Sequence, residues 1–156
     1  MAEFIQKHKL FSFYSTLMLL VVLIAIFAPW LAPGDAFSSN LSQALQAPSS
    51  QHWFGTDKLG RDVLSRIIYG TQLSLFMGVT IVVIMVSVGT IIGAAAGYFG
   101  GKVEMVLMRI TDIMLSFPGI VLAIAIAGIL GGSIVNTILA LSVVGWAKYA
   151  RIVRSM

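Results

Sequence analysis

The chain has no cysteine among its 156 residues, only two histidines, and few charges: six acidic and ten basic side chains, 10% in all. The missing thiols exclude a disulfide framework, a thiolate metal site and a cysteine nucleophile together. His8 and His52 stand far apart in sequence, with no second histidine or carboxylate pair at ligand spacing, which argues against a metal centre. Soluble domains carry about 25% charged residues to keep their surface wetted. With 58% of its residues hydrophobic, this chain would leave wide apolar patches facing water, so its favourable solvent is lipid.

The net charge of +4 does not point to nucleic acid, because the basic residues flank apolar runs instead of forming one patch. The eight methionines are scattered through those runs, where flexible thioethers ordinarily fill gaps. The first run, Leu10 to Ala32, follows Lys7 and Lys9 and exceeds the roughly 20 residues needed to cross a bilayer. It is too long for a typical signal-peptide core, although Gly34-Asp35-Ala36 would be the best cleavage site in that reading. Pro29 and Pro33 mark its end. Gly34 to His52 reads as a surface loop in water.

Between Thr56 and Tyr69 the pattern predicts an amphipathic interfacial helix, capped by Thr56 or Asp57, with Asp62 pairing with Arg66 one turn on. A second span is expected from Leu73 to about Phe99, a turn at Gly100-Gly101-Lys102, a third from Ile113 to Leu130, and a fourth from Ile134 to Ala147 carrying Asn136, Thr137 and Ser142. The expected architecture is therefore all-α, a polytopic transmembrane helix bundle. Its organisation is a tail and first helix over 1–33, an extracytoplasmic loop with the interfacial helix over 34–69, and three helices over 70–156. Four spans put both termini on one side. That side holds Lys7, Lys9, Lys102, Arg109, Lys148, Arg151 and Arg154 against Lys58, Arg61 and Arg66 on the other, which predicts cytoplasmic termini.

Gly70, Ser74, Gly78, Gly89, Gly93 and Gly97 place small residues at four-residue steps with one gap, a pattern that lets helices approach closely in lipid. Pro118 interrupts the third span, removes a backbone hydrogen bond and predicts a bend at Ser116-Phe117-Pro118-Gly119, either static or moving during gating. Arg109 and Asp112, one turn apart, suggest an interfacial ion pair more than a proton relay. A phosphate loop at Gly97 to Lys102 fails on spacing, since three residues separate Gly97 from Gly101 and Val103 follows the lysine. No nucleophile and base occur at usable spacing for an intramembrane enzyme, and neither catalytic residues nor a cofactor is expected.

The stretch His52-Trp53-Phe54-Gly55-Thr56-Asp57-Lys58-Leu59-Gly60-Arg61-Asp62-Val63-Leu64-Ser65-Arg66 resembles the signature preceding the transport domain in dipeptide, oligopeptide and nickel ABC-importer permeases. The resemblance continues through Ala96 to Gly101, Met108-Arg109, Asp112, Leu115 to Pro118, Gly145-Trp146 and Tyr149-Ala150-Arg151, and at the front through Ala28 to Pro33. It implies a permease with six spans, of which four are present. It further implies a second permease, two ATPase subunits that hydrolyse ATP, and an extracytoplasmic solute-binding protein delivering peptides, nickel or metal chelates. In that family the ATPase-docking loop follows the stretch matched by Tyr149-Ala150-Arg151, so its absence before Met156 suggests a truncated permease. A non-transporting membrane scaffold or an inactive fragment is the competing expectation.

Overall fold

The computed structural model describes residues 9–156; Lys7 and His8, used above for topology and for the metal argument, lie outside them. Among the described residues the chain is helical, with one isolated antiparallel bridge between Thr56 and Asp62 as its β character. It divides into two compact units, Met1–Phe76 and Met77–Met156.

In the first unit α1 (Lys9–Ile26) carries Lys9, Ser12, Ser15 and Thr16 in its first half and is apolar from Leu17 to Ile26. It stops at Phe27 and restarts as the short α2 (Ala28–Leu31), where Pro29 occupies a first-turn position whose missing N–H costs nothing. Beyond α2 the chain makes a 3₁₀ turn at Leu41–Gln43, capped by the Asn40 side chain, which accepts from the Ser42 N–H at 3.3 Å.

The long helix α3 (Val63–Phe99) starts seven residues later than the expected Thr56. The reason is local: Gly60 adopts φ 72° and its N–H closes a turn onto the Asp57 carbonyl at 2.9 Å, so residues 57–60 cannot be helical. Asp62, not Thr56 or Asp57, caps the helix, its Oδ2 accepting the Ser65 N–H at 2.7 Å. No break separates an interfacial helix from a span beginning at Leu73. The 37 residues form one helix of about 55 Å, far longer than a hydrocarbon core of about 30 Å.

In the second unit Gly100 and Gly101, with φ 59° and 53°, turn the chain into α4 (Gly101–Ser116). Helix α5 (Gly119–Leu130) follows at 88° to α4, so the expected third span is broken at Phe117-Pro118. Pro118 cannot donate the bond that would continue α4. Helix α6 (Ile134–Arg154) packs against both α4 and α5. Its N-cap is Ser133, whose Oγ accepts the Asn136 N–H at 3.1 Å. The Asn136 amide in turn donates to the carbonyls of Leu130 and Gly131 at 2.6 and 3.0 Å, satisfying the end of α5.

By length and composition α1 and α3 can each cross a membrane, and α4 with α5 make a third span if the bent pair counts as one. Four spans were expected. Helix α6 falls short of that description because Lys148, Arg151 and Arg154 crowd its last seven residues.

Candidate functional site

The residues resembling a transport signature fold into a compact buckle between α2 and α3. Gly55 and Gly60 both have φ above 70°, and a methyl group on either would run into the backbone of Gln46 or Asn40. Around them the chain pairs with itself: the Asn40 N–H donates to the Leu59 carbonyl at 2.9 Å, Leu45 to Asp57 at 3.1 Å and Thr56 to Gln46 at 3.1 Å. Thr56 Oγ1 accepts the Gln46 N–H at 2.9 Å and donates to the Gln43 carbonyl.

Two carboxylates hold the buckle. Asp57 Oδ1 accepts the N–H groups of Leu59 and Arg61 at 2.8 and 3.1 Å, while Oδ2 meets the Arg61 guanidinium at 2.8 Å and also that of Arg66. Asp62 is almost fully buried, with 2% of its side chain exposed. Its Oδ1 lies 3.0 Å from His52 Nδ1; the carboxylate can only accept, so the ring proton sits on Nδ1. Desolvation pushes both acids up, but it is outweighed. At Asp57 the Arg61 N–H and guanidinium and the Leu59 N–H hold the carboxyl well below the usual range. At Asp62 the Ser65 N–H and hydroxyl and the His52 ring do the same. Ser65 also accepts the Gly34 N–H on its Oγ at 2.9 Å, tying the segment after α2 to α3.

The expected Asp62–Arg66 pair is therefore not formed: Arg66 goes to Asp57, and Asp62 to His52. With Asp62 serving as helix cap, its two carboxylate oxygens are taken up by the Ser65 N–H and the His52 ring. His52, Gly55, Thr56, Asp57, Gly60, Arg61, Asp62, Ser65 and Arg66 come together as one structure.

In the second unit the expected Arg109–Asp112 pair is replaced. Asp112 pairs with Arg151 of α6, and Glu104 pairs with Arg154, its Oε1 accepting from Nε at 2.7 Å. Among the described residues Arg109 has no ion-pair partner. Residues three apart on a helix are neighbours only if their side chains turn together, and here the packing of α6 on α4 offers Asp112 a guanidinium from across the interface. A cleft of about 510 Å³ lies between these pairs, lined by Met105 and Met108 as well as the charged groups. Glu104 carries no local signal, since its partner is fifty residues away.

The small-residue stripe is used selectively. A methyl group on Gly89 would fall 2.8 Å from the Trp146 carbonyl oxygen and 2.9 Å from the Ala150 nitrogen, and one on Gly93 would fall 2.9 Å from Val153 Cβ. Gly70, Gly78 and Gly97 have open space. Ser116 and Pro118 stand at the break, where Ser116 Oγ donates to the Ile113 carbonyl at 2.7 Å. No group of three or more metal-ligating side chains occurs among the described residues.

Residues 89–156 match the family described as binding-protein-dependent transport system inner membrane component, and residues 5–48 match the N-terminal TM domain of oligopeptide transport permease C. The chain is 45% identical to a dipeptide transport system permease protein of Alkalihalophilus pseudofirmus, over 97% of this chain and 50% of that protein. It is 41% identical to a glutathione transport system permease protein of Pectobacterium atrosepticum, over 97% of this chain and 50% of the relative. With a dipeptide transport system permease protein of Bacillus subtilis it shares 37% identity over 96% of this chain and 47% of the relative. The chain thus spans about half the length of the curated relatives it matches.

Proposed function

This chain belongs to the permease family of binding-protein-dependent transport systems, and from that premise we propose that it serves as a membrane-spanning subunit of an ATP-driven importer for peptides. The single observation that carries the reading is the likeness to peptide-transport permeases along nearly the whole chain, joined to a fold of long apolar helices. Nickel or metal chelates are a narrower possibility for the solute, resting on the signature resemblance alone. The relatives named above transport dipeptides or glutathione, so small peptides are the first solutes to test.

In this reading the chain contributes no catalytic residue. A second permease completes the path, two ATPase subunits supply energy, and an extracytoplasmic binding protein delivers the solute. ATP binding on those partners acts by favouring one arrangement of the helices over another. With α6 as a fourth crossing among protein neighbours, the termini lie in the cytoplasm, and the proposed moving element is the 88° break at Pro118. The signature residues from His52 to Arg66 form a fixed extracytoplasmic frame rather than a solute site.

Deleting the coding sequence from its host and following uptake of labelled dipeptides, glutathione and nickel tests the proposal. Loss of peptide uptake that returns when the gene is restored supports it. Unchanged uptake of every solute would reject transport in favour of a scaffold role.

A further inference from the structure

Trp53 and Phe54 are 65% and 58% exposed, yet they sit at the tip of a loop held by backbone and side-chain hydrogen bonds. They are the two central residues of a turn closed by the Gly55 N–H on the His52 carbonyl at 2.9 Å. His52 on one side is fixed to Asp62, and Gly55 on the other accepts the Val63 N–H at 3.1 Å. The turn is held by these bonds while presenting two large apolar rings that are mostly exposed.

The level of that tip is set by its bonds. Helices α1 and α2 together run from Lys9 to Leu31, about 35 Å, enough to cross the hydrocarbon and end at an interface. Three residues beyond, Gly34 is bonded to Ser65 in the first turn of α3. Gly55, directly after the tip, is bonded to the first residue of α3. The tip is therefore tied to the same height as the end of α2, where Trp30 is also exposed. Tryptophan is enriched where membrane meets water, because its indole has an apolar body and a polar N–H. Lys58, four residues past Phe54, is exposed as well and adds a cation near the turn in sequence.

We propose that the Trp53-Phe54 turn inserts into the lipid interface at that end of α1, anchoring the buckle on the bilayer surface. The occupant of this face is the headgroup and upper acyl region of the leaflet, continuous with the lipid around α1 and α3. The Gly34–His52 loop, expected to stand in water, is thus followed directly by an apolar foot in the membrane. This inference needs the chain to be embedded in a bilayer and does not depend on what it transports.

The chain has three tryptophans, so a Trp30→Phe, Trp146→Phe variant leaves Trp53 as sole reporter. The full chain is placed in vesicles of phosphatidylcholine with phosphatidylglycerol, and Trp53 emission is quenched by lipids brominated near the headgroup, by lipids brominated near the chain end, and by aqueous acrylamide. The expected result is blue-shifted emission quenched most by shallow bromines. Quenching by acrylamide with none by lipid would overturn the proposal. So would protection from all three, because a protein surface, from a second permease or a binding protein, would then cover the turn. Should those substitutions disturb folding, a spin label on Phe54→Cys, the only thiol in the chain, reads the same depth from oxygen against nickel-chelate accessibility. Greater access for the nickel chelate would contradict insertion.

Discussion

Asp112 on α4 pairs with Arg151 on α6, thirty-nine residues further along the chain, and not with Arg109 one turn away. This pair and the Glu104–Arg154 pair bind α4 to α6 at the end of α6 where its charges lie. Both pairs keep much of their surface exposed, so their strength is that of screened ion pairs.

Reversing Asp112 to Arg should weaken the α4–α6 contact, and the added Arg151→Asp change should restore it. The coupling energy from the double-mutant cycle is expected to be no more than about 1 kcal/mol. Thermal unfolding in detergent measures it; no recovery in the double variant would mean that the pair is incidental.

Gly89→Leu and Gly93→Leu should each destabilise the second unit by about 1–3 kcal/mol, because α6 backbone occupies the space a side chain needs. The same change at Gly78 or Gly97 should cost much less, since nothing lies within 4 Å of either. Comparing melting midpoints of the four variants decides whether the stripe is used in two places or throughout.

Gly60→Ala should open the buckle, since it meets two penalties at once. The left-handed backbone costs a non-glycine residue about 1–2 kcal/mol, and the new methyl would overlap the Asn40 carbonyl. Amide exchange at Asn40 and Leu45 should accelerate in the variant, whereas unchanged protection would show that the turn tolerates a side chain.

The buckle should loosen in acid. Asp62 has a lowered carboxyl, so the stability it contributes is fully present above the usual carboxylate value near 3.9 and is lost as pH falls through the lowered one. Exchange of the Ser65 amide, which donates to Asp62, should be independent of this group near neutrality and should rise only below about pH 4. In Asp62→Asn that acid step should disappear.

Reading the residues alone was enough for the membrane setting, the apolar helices and the bend at Pro118. Those features follow from composition and from short spacings, which one chain displays directly; the His52–Arg66 stretch stood out only through its resemblance to the permease signature. The partners of the charged groups did not follow. Helical spacing suggested Asp62 with Arg66 and Arg109 with Asp112, but Gly60 delays the start of α3 and makes Asp62 its cap, while α6 brings Arg151 to Asp112. The glycine stripe was visible as a pattern, yet only contact with α6 distinguishes Gly89 and Gly93 from Gly97.

The break at Pro118 separates α4 from α5 so sharply that α5, at 12 residues, is about 18 Å long and cannot cross a bilayer by itself. The parity of crossings therefore depends on how this bent pair and α6 traverse the lipid. Fusing a reporter that is active only in the cytoplasm to each terminus in turn tests this directly. Activity at both ends is the predicted result; activity at one end alone would contradict the account of a polytopic permease with an even number of crossings.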